Sequence, residues 1–292
     1  MHRTSGITVI ALLVLLVTAL MPSVFGVAAA AEEQQFIFAP TDPPTPETPT
    51  WYLAEGYTAW GFSTYVNIES PNDTEVTARV TYMNPAANTP SGKGVVLRKD
   101  IKLPAMSQTI LNAADVISFP CDFSTKVECL EGKSIAVDRT MVWTGKDARS
   151  QEGHCSIGVS SPSNTWYLPE GSSNWGFETW TLVENPNNTD ANVILTYMAE
   201  GRGAKSFTRV IPADSRVSYS MATDIGQADA SIKVESDRGV IAERSVYRND
   251  RREGSCSIGA TAPSEHFYLA EGTTSPPTCW CRTPGATLQR LP

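Results

Sequence analysis

Histidine is scarce: three in 292 residues, at His2, His154 and His266. None occupies a place that recurs elsewhere in the chain, which argues against a metal site built by repetition. No Gly-x-Ser-x-Gly elbow is present to raise a nucleophilic serine. No Asp-x-Asp-x-Asp-Gly loop is present to collect calcium through its oxygens. Basic charge is in deficit, with 23 Lys and Arg against 31 Asp and Glu and a formal net charge of -8. That balance excludes nucleic acid as a natural partner and opposes adsorption to anionic lipid. Helical periodicity is nearly absent. Only Ala113-Ala114-Asp115-Val116 and Ala222-Thr223-Asp224-Ile225 could close one short turn. The longest apolar run, Ile7 to Met21 broken only by Thr18, falls short of the roughly 20 residues of a spanning helix. These absences point away from an enzyme and leave no cofactor and no metal to expect.

What is present is an internal repeat. Trp51-Tyr52-Leu53-Ala54-Glu55-Gly56 returns as Trp166-Tyr167-Leu168-Pro169-Glu170-Gly171, and again as Phe267-Tyr268-Leu269-Ala270-Glu271-Gly272. Trp60-Gly61-Phe62 matches Trp175-Gly176-Phe177, and Glu69-Ser70-Pro71-Asn72 matches Glu184-Asn185-Pro186-Asn187. Thr81-Tyr82-Met83, Lys126-Val127-Glu128, Asp138-Arg139 and Cys155-Ser156-Ile157-Gly158 find their copies at Thr196-Tyr197-Met198, Lys233-Val234-Glu235, Glu243-Arg244 and Cys256-Ser257-Ile258-Gly259. The order is kept while the spacing drifts from 115 residues (Trp51 to Trp166) to 101 (Cys155 to Cys256). Unit one therefore carries about 14 extra residues, an insertion of the kind loops tolerate. A residue that recurs in both units is expected to serve the unit's fold before any unique chemistry.

The N-terminus reads as an export signal over residues 1–31: His2 and Arg3, the apolar run, then small residues Ala28 to Ala31 before Glu32. Losing Arg3 on cleavage would take the net charge to about -9. Residues 32–50 read as a disordered, solvated linker around Pro43-Pro44-Thr45-Pro46-Glu47-Thr48-Pro49. Past Gly272 the expected Trp-Gly-Phe strand does not follow. Residues 267–292 read as a truncated third repeat whose tail, from Ser275-Pro276-Pro277 onward, is out-of-frame translation.

Between these ends, short apolar-patterned runs alternate with turn residues. In unit two the runs are Phe177 to Glu184, Ala191 to Met198, Lys205 to Ile211, Ser215 to Met221, Ala230 to Ser236 and Val240 to Tyr247. Runs spaced by about 8–12 residues with Pro, Asn, Asp and Gly between them predict an all-β fold, a sandwich or barrel. Val193, Leu195 and Tyr197 match Ala78, Val80 and Tyr82, which marks the core face. Ile194 matches Arg79, which marks the wet one. The expected organisation is two tandem immunoglobulin-like β-sandwich modules, at 51–165 and 166–266. The Ser-Ile-Gly strand lies so close to the next Trp-Tyr-Leu that Phe267 to Gly272 could instead complete unit two.

The ordered set Trp-Tyr-Leu-Ala-Glu-Gly, Trp-Gly-Phe, Asn-Pro-Asn, Thr-Tyr-Met, Glu-Arg and Ser-Ile-Gly resembles the extracellular WYLAEG-type repeat modules of actinobacterial and related bacterial surface proteins. The resemblance covers roughly Trp51 to Gly272. It implies a β-sandwich outside the cell, in arrays that sometimes flank cell-wall hydrolase or protease domains. It offers no catalytic residues to carry over, and most such modules have no characterised function.

Candidate sites follow. Trp60 and Trp175 follow the Glu-Gly turn and could stack on a sugar ring. The competing reading, favoured by the usual burial of tryptophan, makes them caps on the core. Asp138, Arg139, Glu243 and Arg244 recur on the last long strand. Neighbours on a strand face opposite ways, so cross-strand or inter-unit ion pairs are expected, with Glu55 and Glu170 as partners. Removing Arg244 should then destabilise unit two. Asn72-Asp73-Thr74 and Asn187-Asn188-Thr189 have the glycosylation sequon, but their setting after proline is that of a tight turn. In an exported chain Cys121 and Cys129 could form a disulfide. Eight strand steps span about 26 Å and a bridge needs Cα atoms within about 7 Å, so Cys121 would have to loop back. Cys155 and Cys256 are expected to be buried small residues. Together these readings describe a non-catalytic exported repeat protein, secreted or at the cell surface. It would serve as a structural spacer or adhesion scaffold, with no membrane span in the mature chain. The alternative is a module binding cell-wall or other surface glycan through its loop tryptophans. Other surface proteins are the remaining candidate partners.

Overall fold

The computed structural model describes residues 48–85, 94–145 and 151–269. The predicted signal segment, most of the linker and the tail beyond Leu269 lie outside the described residues. Those described belong to one compact unit, and their secondary structure is almost entirely β. Among them no helix is long and apolar enough to cross a membrane, which says nothing of a β-barrel.

Repeat 1 contains eight strands: β1 (Thr50–Leu53), β2 (Ser63–Ser70), β3 (Val76–Asn84), β4 (Val95–Leu103), β5 (Ser107–Asn112), β6 (Ser124–Cys129), β7 (Ala136–Trp143) and β8 (Glu152–Ile157). They form two four-stranded antiparallel sheets, ordered β1-β6-β3-β4 and β5-β2-β7-β8. Leu53, Val80, Leu103 and Val127 from the first meet Val66, Ile68 and Val137 from the second in one buried cluster. Repeat 2 follows the same plan with β9 (Ser163–Leu168), β10 (Phe177–Asn185), β11 (Ala191–Ala199), β12 (Gly203–Ile211), β13 (Ser215–Ser220), β14 (Ala230–Arg248) and β15 (Glu253–Ile258). Here one 19-residue strand, β14, does the work of β6 and β7. Its first half pairs with β9 and β11 and its second with β10 and β15, with a register shift between Glu235 and Val240.

The recurring motifs hold this plan together. The Trp51 indole donates to Ile135 O and the Trp166 indole to Val240 O, both at 2.8 Å. Each thus ties the first strand to the point where the chain crosses between sheets. Gly158 and Gly259 lie against those indoles, and a Cβ there would come within 3.1 and 3.2 Å of the Trp51 and Trp166 rings. The carboxamides of Asn72 and Asn187 donate to Ser134 O and Gly239 O at the same crossing. Their place in the turn after β2 and β10 agrees with the turn reading of both sequons. The two predicted helical turns are real: Ala113–Asp115 is capped by Asn112, and Met221–Ile225 by Ser220.

The inward and outward faces fall where the copies place them. Val193, Leu195, Tyr197, Ala78, Val80 and Tyr82 are buried, and Ile194 is exposed. Each repeat closes with the residue after its Ser-Ile-Gly strand: Val159 bonds back to Tyr52, and Ala260 to Tyr167. Phe267 to Leu269 are exposed and join no strand among the described residues.

Two expectations about cysteine are corrected. Cys121 and Cys129 are both free and buried. The Cys121 thiol bonds Asn84 at one end of β3, while Cys129 pairs with Ala78 near the other, so the extended β6 keeps them apart. Cys155 is an exposed free thiol and Cys256 a half-buried one, because they sit on the outer face of their sheets.

Candidate functional site

β7 and β14 extend beyond the apolar core of their repeats. The row of β7 side chains that starts with Val137 in the core continues with Arg139, Met141 and Trp143, and this forms an open end on repeat 1. The outer face of the β13-β10-β14-β15 sheet of repeat 2 covers it. Leu182 and Ile241 of that face belong to the same apolar cluster as Tyr52, Ala54 and Val159 of repeat 1. Trp143 stacks on Phe62 at 5.2 Å and meets Tyr247 edge-on at 5.4 Å, and its indole donates to Arg251 O.

Charge is buried at the centre of this junction. Arg139, 0% exposed, donates Nη1 to Glu243 Oε2 at 3.0 Å and to Glu55 O at 3.2 Å. Glu243 also accepts the Glu55 backbone N–H and the Cys256 thiol. The Glu55 carboxylate takes a bond from Ser245 of repeat 2 and lies 3.6 Å from Arg216. Burial pushes Glu243 up, but the Arg139 guanidinium and the bonds from Cys256 and Ser156 outweigh it and leave its pKa below the ordinary value. Burial also raises Glu55, and there the nearby arginines only partly compensate. Glu184 is fully buried, neither carboxyl oxygen has a hydrogen-bond partner, and its pKa stands well above the usual carboxylate range. His154, buried beside Trp143 and Tyr247, is held down to about 4 by burial and then by Arg139.

The predicted ion-pair residues separate into roles. Arg139 and Glu243 pair between repeats. Arg244 pairs with the carboxylate of Glu170 and donates to Glu170 O at 2.8 Å, as Arg139 does to Glu55 O. Asp138 is exposed and takes a bond from Asn67 instead of an arginine. Arg216, Trp143, Tyr247 and Arg251 are not among the sequence candidates, and their signal is that they break the repeat, standing where the other copy has Gln108, Arg248, Val142 and a turn without a matching motif. His154 breaks it too, opposite Ser255, whereas Glu184 recurs as Glu69 and carries no such signal.

The second feature is a pair of turns. Phe62 N–H bonds Ala59 O, and Phe177 N–H bonds Asn174 O, both at 2.9 Å. The central residues Trp60 and Gly61 have φ of 52° and 81°, and Trp175 and Gly176 have 52° and 79°. Positive φ at both central positions defines a type I′ turn. The tryptophans do not cap the core: they are 76% and 73% exposed. Tyr57 meets Trp60 edge-on at 6.2 Å, and the Arg251 guanidinium lies 5.5 Å from its ring centre. Among the described residues no group of three His, Cys, Asp or Glu side chains is placed to hold a metal ion.

No protein-family model matches the chain, and no curated protein matches it. Among solved structures it is similar to one described as "Crystal Structure of Thermotoga maritima 1070", with a TM-score of 0.32 and 17% identity over 39% of this chain and 96% of that one.

Proposed function

We propose that this chain is a non-catalytic, exported scaffold in which two immunoglobulin-like modules act as one rigid spacer at the cell surface. One observation carries the reading: the buried Arg139–Glu243 pair and the aromatic cluster around Trp143 lock the repeats together. A spacer transmits separation only if its joints do not bend, and a desolvated ion pair inside an apolar interface resists bending because opening it strands a charge. The neighbour relations support the immunoglobulin-like reading. β2 lies beside β5 and β3 beside β6, as strands B and E and strands C and F do in that sandwich, with β1 and β7 in the places of G and A. The apolar run after Arg3 supports export. Amide ¹⁵N relaxation tests the joint: both repeats should report one rotational correlation time. Two shorter, separate times would overturn the spacer reading.

A second reading rests on the turns. An exposed tryptophan in the left-handed region is costly for a residue with a Cβ, and no packing need for it is evident at Trp175. Strain kept at the same place in both repeats points to binding, here a glycan stacked on the indole face. Glycan-array binding lost in Trp60→Ala and Trp175→Ala would support it, and binding indifferent to both would end it.

A further inference from the structure

The junction between the repeats is head to tail: the open end of repeat 1 meets the outer sheet face of repeat 2. Such a heterologous contact leaves the reciprocal surfaces, the outer sheet face of repeat 1 and the open end of repeat 2, without a covering module among the described residues. Both surfaces keep part of the pattern of the used ones: an acid on the sheet face and an arginine at the open end.

On repeat 2 the used face centres on Glu243, with Leu182 paired on one side and Ile258 on the other. The matching row on repeat 1 runs Ile110, Asn67, Asp138, Ile157, each paired with the next across β5, β2, β7 and β8. Its acid is exposed, and the two isoleucines that frame it are 59% and 60% exposed. The row thus keeps an acid and an isoleucine beside it, Ile157 in the place of Ile258, while Asn67, which bonds Asp138, stands where the used face has Leu182.

At the other surface, Arg244 stands where Arg139 stands, bonded to Glu170 O as Arg139 is to Glu55 O. Its Nε is buried with no hydrogen-bond partner. Among the described residues no acid from another module covers it: it pairs with Glu170 of its own repeat, which is 63% exposed in its side chain where Glu55 is buried. Arg248 replaces Trp143 beside it, so this end carries two arginines, which pair with Glu170 and Glu253 of their own repeat, while the opposite face carries the exposed acids Glu69 and Asp138.

We propose that a second copy of this chain docks the β5-β2-β7-β8 face of its first repeat onto the open end of repeat 2, so that Asp138 of the second copy meets Arg244 as Glu243 meets Arg139. The contact is open-ended and generates linear oligomers. It is weaker than the internal junction, because Thr140, Val142 and Gln108 stand where that junction has Ser245, Tyr247 and Arg216. The inference does not depend on export or on glycan binding.

Sedimentation velocity of the purified full chain tests it. The weight-average mass should rise with concentration beyond that of one chain and fall back with added salt. Asp138→Arg, a change at an exposed side chain, should abolish the rise, and Arg244→Glu should do the same. Mixed together, the two variants should recover the concentration-dependent rise as alternating oligomers, since the reversed face meets the reversed end and the native Asp138 of one variant meets the native Arg244 of the other. A chain that stays monomeric, association untouched by Asp138→Arg, or mixed variants that fail to pair would each overturn the proposal. If Arg244→Glu does not fold, Asp138→Arg with Arg244→Asp as acceptor serves in its place, and loss of folding in both acceptors leaves the decision to Asp138→Arg alone.

Discussion

At the residue scale the junction depends on charges that cannot be removed singly. Glu243 and Arg139 are 1% and 0% exposed, so deleting either leaves the other desolvated. Glu243→Ala and Arg139→Ala should each destabilise the chain by about 3–5 kcal/mol, read from chemical denaturation. The double variant should cost clearly less than their sum, because it strands no charge. A strictly additive cycle would mean that the pair is not coupled. His154 gives the junction a pH dependence. Its folded-state pKa is about 4 against an ordinary 6.5, so between those values the unfolded chain binds more protons. Stability from this site is whole above pH 6.5 and drains away as pH falls toward 4, by roughly 3 kcal/mol at most. Glu55 and Glu184 are shifted upward and act in the opposite sense. The histidine's share is therefore the difference between the native chain and His154→Gln measured across that range. The difference should widen at high pH and shrink at low, and a constant gap would refute it.

At the element scale, backbone closeness sets the docking. β15 runs past Trp143, and a Cβ on Gly254 would lie 2.8 Å from both Trp143 and Tyr247. Gly254→Ala should cost about 1–3 kcal/mol by overpacking, and near-ultraviolet circular dichroism should show the Trp143 environment altered. An unchanged spectrum and stability would mean the two rings yield freely. The strands themselves were legible because period-two alternation and Asn-Pro punctuation are local signals. Comparing Val193, Leu195 and Tyr197 with Ala78, Val80 and Tyr82 even gave the core face. Ser236 to Gly239 has the pattern of a turn, so the sequence predicts two strands where β14 is one. The chain instead shifts register there and continues, whereas repeat 1 breaks between Cys129 and Ala136. Whether such a segment bends or breaks depends on what pairs with it, which no local pattern carries. The expectation of core caps at Trp60 and Trp175 fails for a related reason. Average burial speaks for the residue type, while two successive positive φ values turn the indole outward.

At the scale of the molecule, recurrence and its failures divide the labour. Positions that recur, such as Trp51 and Trp166 or Gly158 and Gly259, build each repeat. Positions that differ, such as Trp143 against Arg248 and Arg216 against Gln108, build the contact between repeats. The recurring Arg139, Glu243 and Glu55 make the ion pairing between repeats legible in the sequence, whereas the aromatic and Arg216 parts of the junction show there only as mismatches between the copies. A shared apolar cluster and a shared ion pair should also make the two repeats unfold together. The native chain should show one calorimetric transition whose van't Hoff and calorimetric enthalpies agree. Glu243→Lys sets a second cation against Arg139 inside the junction and should uncouple the repeats. The single transition should then split in two, with repeat 1 melting first, since its open end would lose its cover while repeat 2 keeps its own core. Two transitions in the native chain, or one unbroken transition in Glu243→Lys, would show that the junction does not carry the cooperativity of the pair.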